Sequence, residues 1–61
     1  TNVTHKIITR YDKRILDIYQ DNDTRSSMYI IYRGHRFNVR YILNPYFRNE
    51  SLEIFCEEVI G

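Results

Sequence analysis

Residues 28–43, MYIIYRGHRFNVRYIL, alternate between two kinds of side chain on both sides of a single glycine, Gly34. A glycine between two runs rich in Ile, Tyr, Phe and Val is a strong signal for a β-hairpin. The division of residues between the two faces is the same whether the turn is centred on Arg33-Gly34 or on Gly34-His35. The packed face is then predicted to contain Met28, Ile30, Tyr32, Phe37, Val39, Tyr41 and Leu43. The opposite, mixed and basic face is predicted to contain Tyr29, Ile31, Arg33, Arg36, Asn38, Arg40 and Ile42.

Two further stretches show the same period of two. Residues 3–11 predict a strand because Thr, Val and Ile dominate them. Its inward side is predicted to carry Val3, His5, Ile7, Thr9 and Tyr11. Residues 51–60 predict a final strand in which Leu52, Ile54 and Cys56 point one way and Glu53, Phe55 and Glu57 the other. Cys56 is interpreted as a small core hydrophobe.

The segment between the first strand and the hairpin has a different pattern. Residues 12–20 place Ile15, Leu16, Ile18 and Tyr19 at spacings of three and four, which favours a short helix. Asp12 occupies the position of an N-cap. Two turns are short for a helix, so an irregular extended piece remains the alternative. Residues 20–27, QDNDTRSS, contain no hydrophobe and predict an exposed loop.

These elements predict a mainly β fold: a small antiparallel sheet or partial β-barrel built on the central hairpin, with one short helical segment. The 61 residues form a single domain, and a domain of this size is only marginally stable alone. Cys56 is the only cysteine, so an internal disulfide is excluded. The sequence begins at Thr1 without an initiator methionine. We therefore expect residues 1–61 to be the C-terminal part of a longer β-barrel protein, or a chain that associates with others.

Charge is distributed unevenly along the chain. Residues 1–48 contain nine Lys and Arg against four Asp, a balance of +5, and residues 49–61 contain four Glu and no base, a balance of −4. This asymmetry suits contact between the basic edge of one copy and the acidic edge of another. It also suits neutralisation within one molecule. The pattern alone leaves both interpretations open.

The turn at residues 44–50, NPYFRNE, carries adjacent aromatic residues, Tyr46 and Phe47, beside Arg48. Asn44-Pro45 ends the preceding strand because proline cannot donate to a strand ladder. Exposed aromatics beside an arginine are typical of interface residues. The same two rings could instead fold back over a small core, and both interpretations remain open.

The sequence contains no recognisable catalytic or cofactor-binding motif. Ser26, Ser27, Cys56 and His35 lie in predicted positions that do not suit a nucleophile with its base. His5, His35 and Cys56 are too few and too scattered for a closed zinc site. Asp21 and Asp23 lack the glycine and the later Glu of a calcium loop. We predict no enzyme activity, no metal and no cofactor.

Composition bears on two other classes of partner, membranes and nucleic acids. No apolar stretch approaches the roughly 20 residues that span a bilayer, so no membrane partner is predicted. A single free cysteine suits a reducing compartment such as the cytoplasm. Arg33, Arg36 and Arg40 with Tyr29 on one face resemble the surface of barrel proteins that bind single-stranded nucleic acid. The net charge of +1 is low for that class.

The order of these motifs resembles the head–tail joining proteins of tailed phages, also called head-closure or stopper proteins. Residues 28–39, MYIIYRGHRFNV, resemble the family's central strand, its Tyr-Arg-Gly and its following strand. Residues 41–45, YILNP, then Arg48-Asn49 and residues 52–58, LEIFCEE, resemble its closing segment. Upstream, residues 4–7 and Arg10-Tyr11 resemble the preceding strand. Residues 12–27 are longer than the connection expected there, and the family's N-terminal barrel strands have no counterpart in this sequence.

The resemblance implies a structural virion protein without enzymatic activity. Such proteins form a ring beneath the portal and its adaptor, close the filled capsid and dock the tail, and DNA passes through the ring lumen. It implies location at the head–tail junction of the virion, with assembly in the host cytoplasm. A single-stranded nucleic-acid-binding barrel remains the alternative. The candidate subunit or connector interface comprises Arg33, His35, Arg36, Arg40, Tyr46, Phe47, Arg48, Glu53, Glu57 and Glu58.

Overall fold

Four strands, two short α-helices and one 3-10 turn make up the protein, as seen in a computed structural model that describes residues 3–60. In chain order they are β1 (His5–Arg10), α1 (Lys13–Gln20), α2 (Asn22–Arg25), β2 (Tyr29–Tyr32), β3 (His35–Leu43), the 3-10 turn (Pro45–Phe47) and β4 (Ser51–Val59). All neighbouring strands are antiparallel, in the order β1-β4-β3-β2. The mainly β architecture and the central hairpin were both predicted and are confirmed.

The hydrophobic core lies on one side of this sheet, which we call the inner face. Leu52 and Cys56 are fully buried there and Ile54 is almost fully buried, so the predicted inward side of the last strand is confirmed. Ile7 and Tyr11 of the first predicted strand pack against the same cluster, whereas Ile8 points to the opposite side and is 62% exposed. The inner face is therefore the side that the period-two pattern selected for β1 and β4.

The α1 helix covers part of the inner face with one apolar stripe. Ile15, Leu16 and Tyr19 pack against the core, as spacings of three and four require. Asp12 is the N-cap, and its carboxylate accepts a hydrogen bond from the Arg14 backbone N–H at 2.9 Å. Hydrogen bonds from the Arg14 side chain and backbone also lower the pKa of the Asp12 carboxyl from its ordinary value. The short helix, rather than the extended alternative, is the observed structure.

The predicted loop of residues 20–27 contains a helical turn that the sequence pattern did not indicate. Asp21 caps it, accepting a hydrogen bond from the Asp23 backbone N–H at 2.9 Å. The loop prediction was wrong about this conformation, because Asp21 both ends α1 and begins α2. It was right about exposure, since every residue from 20 to 27 is exposed.

A β-bulge in β3 reverses the predicted faces of its last residues. Val39 pairs with Cys56, but Tyr41 pairs with Phe55, so Arg40 is an extra residue on β3. An extra residue shifts the following side chains to the other face of the sheet. Ile42 is consequently buried at 6% exposure, while Tyr41 and Leu43 are 38% and 47% exposed. The prediction that Tyr41 and Leu43 pack and that Ile42 faces outward was wrong.

Within residues 3–60, no helix packs on the side of the sheet opposite α1, which we call the outer face. It carries the exposed apolar side chains of Ile8, Tyr29, Ile31, Tyr41, Leu43 and Val59. Charged side chains lie between them on β3 and β4, and those of β3, Arg36 and Arg40, belong to the predicted mixed and basic face. The longest helix described has eight residues, and no helix in residues 3–60 is long and apolar enough to cross a membrane.

Candidate interface surfaces

The hairpin between β2 and β3 turns at Arg33-Gly34. Tyr32 pairs with His35, which leaves a two-residue loop with positive φ at both positions, 51° for Arg33 and 79° for Gly34. This is the geometry of a type I′ turn, in which Asn-Gly is the preferred sequence. Arginine is uncommon there because its Cβ disfavours the left-handed conformation. The Arg33 guanidinium lies 5.3 Å from the centre of the Tyr32 ring and is exposed.

Two substitutions in this turn are expected to change the free energy of unfolding in opposite directions. Gly34→Ala should lower the free energy of unfolding by about 1–2 kcal/mol, because a Cβ at positive φ is strained, although nothing lies within 4 Å of it. Arg33→Asn should raise it by about 0.5–1 kcal/mol because Asn tolerates this conformation. Urea unfolding of both variants checks these values. An Arg33→Asn chain less stable than the parent would contradict the turn assignment.

The basic side chains of the outer face are largely engaged within the molecule. The Arg36 guanidinium lies 4.1 Å from the centre of the Tyr29 ring and donates to Asn38 Oδ1 at 3.1 Å. Arg40, projected outward at the bulge, forms an ion pair with Glu57. The charge asymmetry had two interpretations, contact between copies and neutralisation within one molecule. For Glu57 the second applies, because Arg40 of the same chain neutralises it. Among residues 3–60, Glu53 forms no ion pair.

An aromatic stack lies at the centre of the outer face. Tyr41 and Phe55, paired across β3 and β4, stack with ring centres 4.6 Å apart. The Lys6 ammonium lies 5.9 Å from the centre of the Phe55 ring. Because the bulge moved Tyr41 outward, the sequence pattern missed this cluster. The combination of Tyr29 with arginines, predicted for a nucleic-acid-binding face, is present, but Arg36 already covers the Tyr29 ring and Arg40 is paired.

Glu58 lies on the inner face, where three segments of the chain meet. Its Oε2 lies 2.7 Å from His35 Nδ1, and its Oε1 lies 3.9 Å from His5 Nε2. The Glu58 backbone N–H donates to Thr4 Oγ1 at 2.8 Å. The structure thus brings together the candidate residues His35 and Glu58 and separates them from Glu57, which faces the other way. No group of three His, Cys, Asp or Glu within residues 3–60 is arranged to hold a metal ion.

Tyr46, Phe47 and Arg48 form an exposed projection between β3 and β4, which we call the aromatic corner. Tyr46 is 85% exposed and Phe47 is 88% exposed, so neither ring caps the core. Both have positive φ, 55° and 54°, and the Arg48 guanidinium lies 5.2 Å from the Tyr46 ring centre. Side-chain hydrogen bonding between Asn44 and Asn49 at 2.8 Å closes the base of the corner. Of the two interpretations of these rings, exposure is correct.

An apolar cleft of about 440 Å³, the inner cleft, opens on the inner face near the hairpin turn. Its lining comes from both edge strands and from β3: His5, Lys6, Ile7, Ile30, Tyr32 and Phe37. Since β1 and β2 are the two edges of the sheet, a shared cleft means that the sheet curls toward a half-barrel. The His5 ring meets the Phe37 ring edge-on at 5.1 Å between centres. Sequence reasoning missed this site, because the curl that joins the two edges has no local signal.

The candidate residues therefore fall on separate surfaces. Arg36, Arg40, Glu53 and Glu57 lie on the outer face, and Arg33 and His35 lie at or beside the hairpin turn. Glu58 lies beside the inner cleft, and Tyr46, Phe47 and Arg48 lie at the opposite end of the sheet. They cannot form one contiguous patch, so at least two contact regions are implied if all of them bind partners.

Comparison with known proteins identifies one family. The family model described as phage head completion protein matches residues 1–59. Neither the curated proteins nor the solved structures compared with the chain gave a match. The matched range includes the whole sheet, both helices and the aromatic corner. The chain therefore belongs to the phage head completion protein family, and its role is a structural one in the closure of the phage head.

Proposed function

We propose that this protein acts without catalysis as a ring-forming component of the phage head–tail connector. Copies of the chain associate beneath the portal and its adaptor, close the filled capsid as a stopper and dock the tail. The observation that carries the proposal is the family match over residues 1–59. Assembly takes place in the host cytoplasm, and DNA passes through the lumen of the ring.

The exposed apolar surface supports association with other proteins. The outer face exposes six large apolar side chains, and the aromatic corner exposes two more. Large exposed apolar side chains concentrated on one face and one corner favour contact with another protein. In the part of the chain that the structure describes, both edge strands, β1 and β2, have one side without a neighbouring strand, which favours pairing or burial against a partner.

The outer face supplies the charged part of the proposed connector interface. Arg36 has no carboxylate within 4 Å among residues 3–60, whereas Arg40 and Glu57 pair with each other. A charge that is unpaired in the free chain gains most from an oppositely charged partner. We therefore assign the electrostatic contact to Arg36 first, and to the Arg40–Glu57 pair as a unit.

Complementation of a phage that lacks the gene tests both the function and this assignment. Arg36→Glu is expected to reduce the number of joined, tailed particles at least tenfold, because repulsion replaces attraction at the interface, a cost of about 1.4 kcal/mol or more. Glu57→Lys should also reduce joining. The double variant Arg40→Glu with Glu57→Lys keeps an ion pair within the chain but reverses its charges, so it distinguishes loss of the internal pair from loss of the interface. Electron microscopy counts the filled heads without tails.

Lys13→Glu is the matched control, since Lys13 is exposed on α1 and its substitution changes net charge by the same amount. It should leave joining unchanged. Wild-type joining by both Arg36→Glu and Glu57→Lys would contradict the assignment of the interface. Normal tailed particles in the complete absence of the protein would contradict the proposed function itself.

The alternative, binding of single-stranded nucleic acid, predicts a different measurement. Phosphate contacts produce a steep fall of affinity with salt concentration. An oligonucleotide titration at low and moderate salt therefore separates the two functions. Absence of binding at low salt would exclude the alternative and leave the structural role.

A further inference from the structure

We propose that the aromatic corner of one copy docks into the inner cleft of the next copy, so that the chains associate head to tail. This inference rests on the proposed function, since it names the surfaces through which the ring would form. It pairs two exposed features: the aromatic rings of Tyr46 and Phe47 and an apolar cleft that is open to solvent.

The inner cleft has the properties of a receptor for large apolar side chains. Its volume of about 440 Å³ lies within the range of pockets that bind small molecules or side chains. Ile7 and Ile30 lie in its lining, and Phe37 is buried at 7% exposure. Tyr32, at the end of β2, is 56% exposed and lines the cleft. An aromatic ring that enters would bury this apolar surface without disturbing the core.

The aromatic corner has the properties of the inserted element. Tyr46, Phe47 and Asn49 have φ values between 54° and 59°. Left-handed conformations of residues other than glycine are unfavourable and persist only where the surroundings maintain them. Two hydrogen bonds maintain the conformation of the corner. Asn44 Nδ2 donates to Asn49 Oδ1 at 2.8 Å, and the Asn49 backbone N–H donates to Asn44 Oδ1 at 3.2 Å. The corner is therefore a preorganised projection, and preorganisation reduces the entropic cost of docking.

The two features cannot meet within one chain, which selects a second copy as the occupant. Phe37 in the cleft and Leu43 beside the corner are six residues apart on β3, about 20 Å of strand. Charge also favours this pairing. Among residues 3–60, Arg48 has no carboxylate within 4 Å, and the Glu58 carboxylate beside the cleft contacts the imidazoles of His5 and His35 rather than an Arg or Lys. The Lys6 ammonium lies by the Phe55 ring on the outer face. A head-to-tail contact of this kind produces a closed ring when the rotation between copies closes.

Cysteine trapping tests the contact in the full chain. Phe47→Cys and Tyr32→Cys are made as separate variants, mixed in equal amounts and oxidised in a glutathione buffer. Cys56 is retained because its thiol is buried, and the parent chain reports any disulfide that it forms. The mixed disulfide is expected to exceed either homodimer and to form roughly tenfold faster than in the control pair, because docking raises the effective concentration of the two thiols.

The control pair joins Phe47→Cys with Ile8→Cys. Ile8 is 62% exposed, close to the 56% of Tyr32, but it lies on the outer face. The same pairs are oxidised in particles assembled by complementation, since association can require the connector. Equal mixed-disulfide yields for the test and control pairs in both settings would overturn the head-to-tail contact. A chain with both Phe47→Cys and Tyr32→Cys should form a ladder that ends in a closed species.

The result separates this contact from the proposed function. Equal yields together with normal complementation by the parent chain would reject the corner-to-cleft contact and leave the connector role intact. Selective trapping of purified chains, together with normal joining in the absence of the gene, would support self-association and reject the connector role.

Discussion

Replacement of Ile42 by alanine is expected to lower the free energy of unfolding by about 2–5 kcal/mol. Ile42 is 6% exposed and packs with Leu52 and Ile54 in the core. A 61-residue domain has a total stability of about 3–9 kcal/mol, so the substitution would remove a large share of that stability. Urea unfolding followed by circular dichroism measures the change.

The neighbouring substitution is the matched control. Leu43→Ala should change the free energy of unfolding by less than about 1 kcal/mol, because surface substitutions have small effects and Leu43 is 47% exposed on the outer face. Simple alternation from the hairpin predicts the opposite ranking. A larger loss for Leu43→Ala than for Ile42→Ala would therefore contradict the bulge at Arg40.

Cys56 is expected to react with iodoacetamide at least about a hundredfold more slowly in the native protein than in urea, since labelling requires opening of the core. The Cys56 side chain is fully buried and its thiol donates to the His5 carbonyl oxygen. Burial also raises the pKa of the Cys56 thiol above its ordinary value, so less of the reactive thiolate is present near neutral pH. Mass spectrometry of timed samples measures the rate.

The same assay connects the two predictions. If labelling follows unfolding, Ile42→Ala should accelerate it by about tenfold for each 1.4 kcal/mol of lost stability, and Leu43→Ala should leave it nearly unchanged. Native labelling at the rate found in urea would show that Cys56 is accessible, which is inconsistent with its buried position on β4, between β1 and β3.

Several local features were predictable because their signals lie within a few residues. Gly34 between two β-rich runs specified the hairpin, and alternation specified the inward sides of β1 and β4. Asp12 before an apolar stripe specified the start of α1. Tyr46 and Phe47 after a proline were recognisable as interface candidates, although exposure and folding back were equally compatible with the sequence.

The arrangement of surfaces depended on the tertiary structure. The sequence by itself determined a β-hairpin protein with a short helix, an acidic final strand and motifs of phage head-closure proteins. Only the tertiary structure decided that Arg40 forms a bulge, which places Ile42 inside and Tyr41 outside. It also decided that the sheet curls until β1 and β2 share a cleft, and that Glu58 meets His5 and His35. The physical reason is that alternation is local, whereas a bulge and a curl arise where distant strands bury one common core.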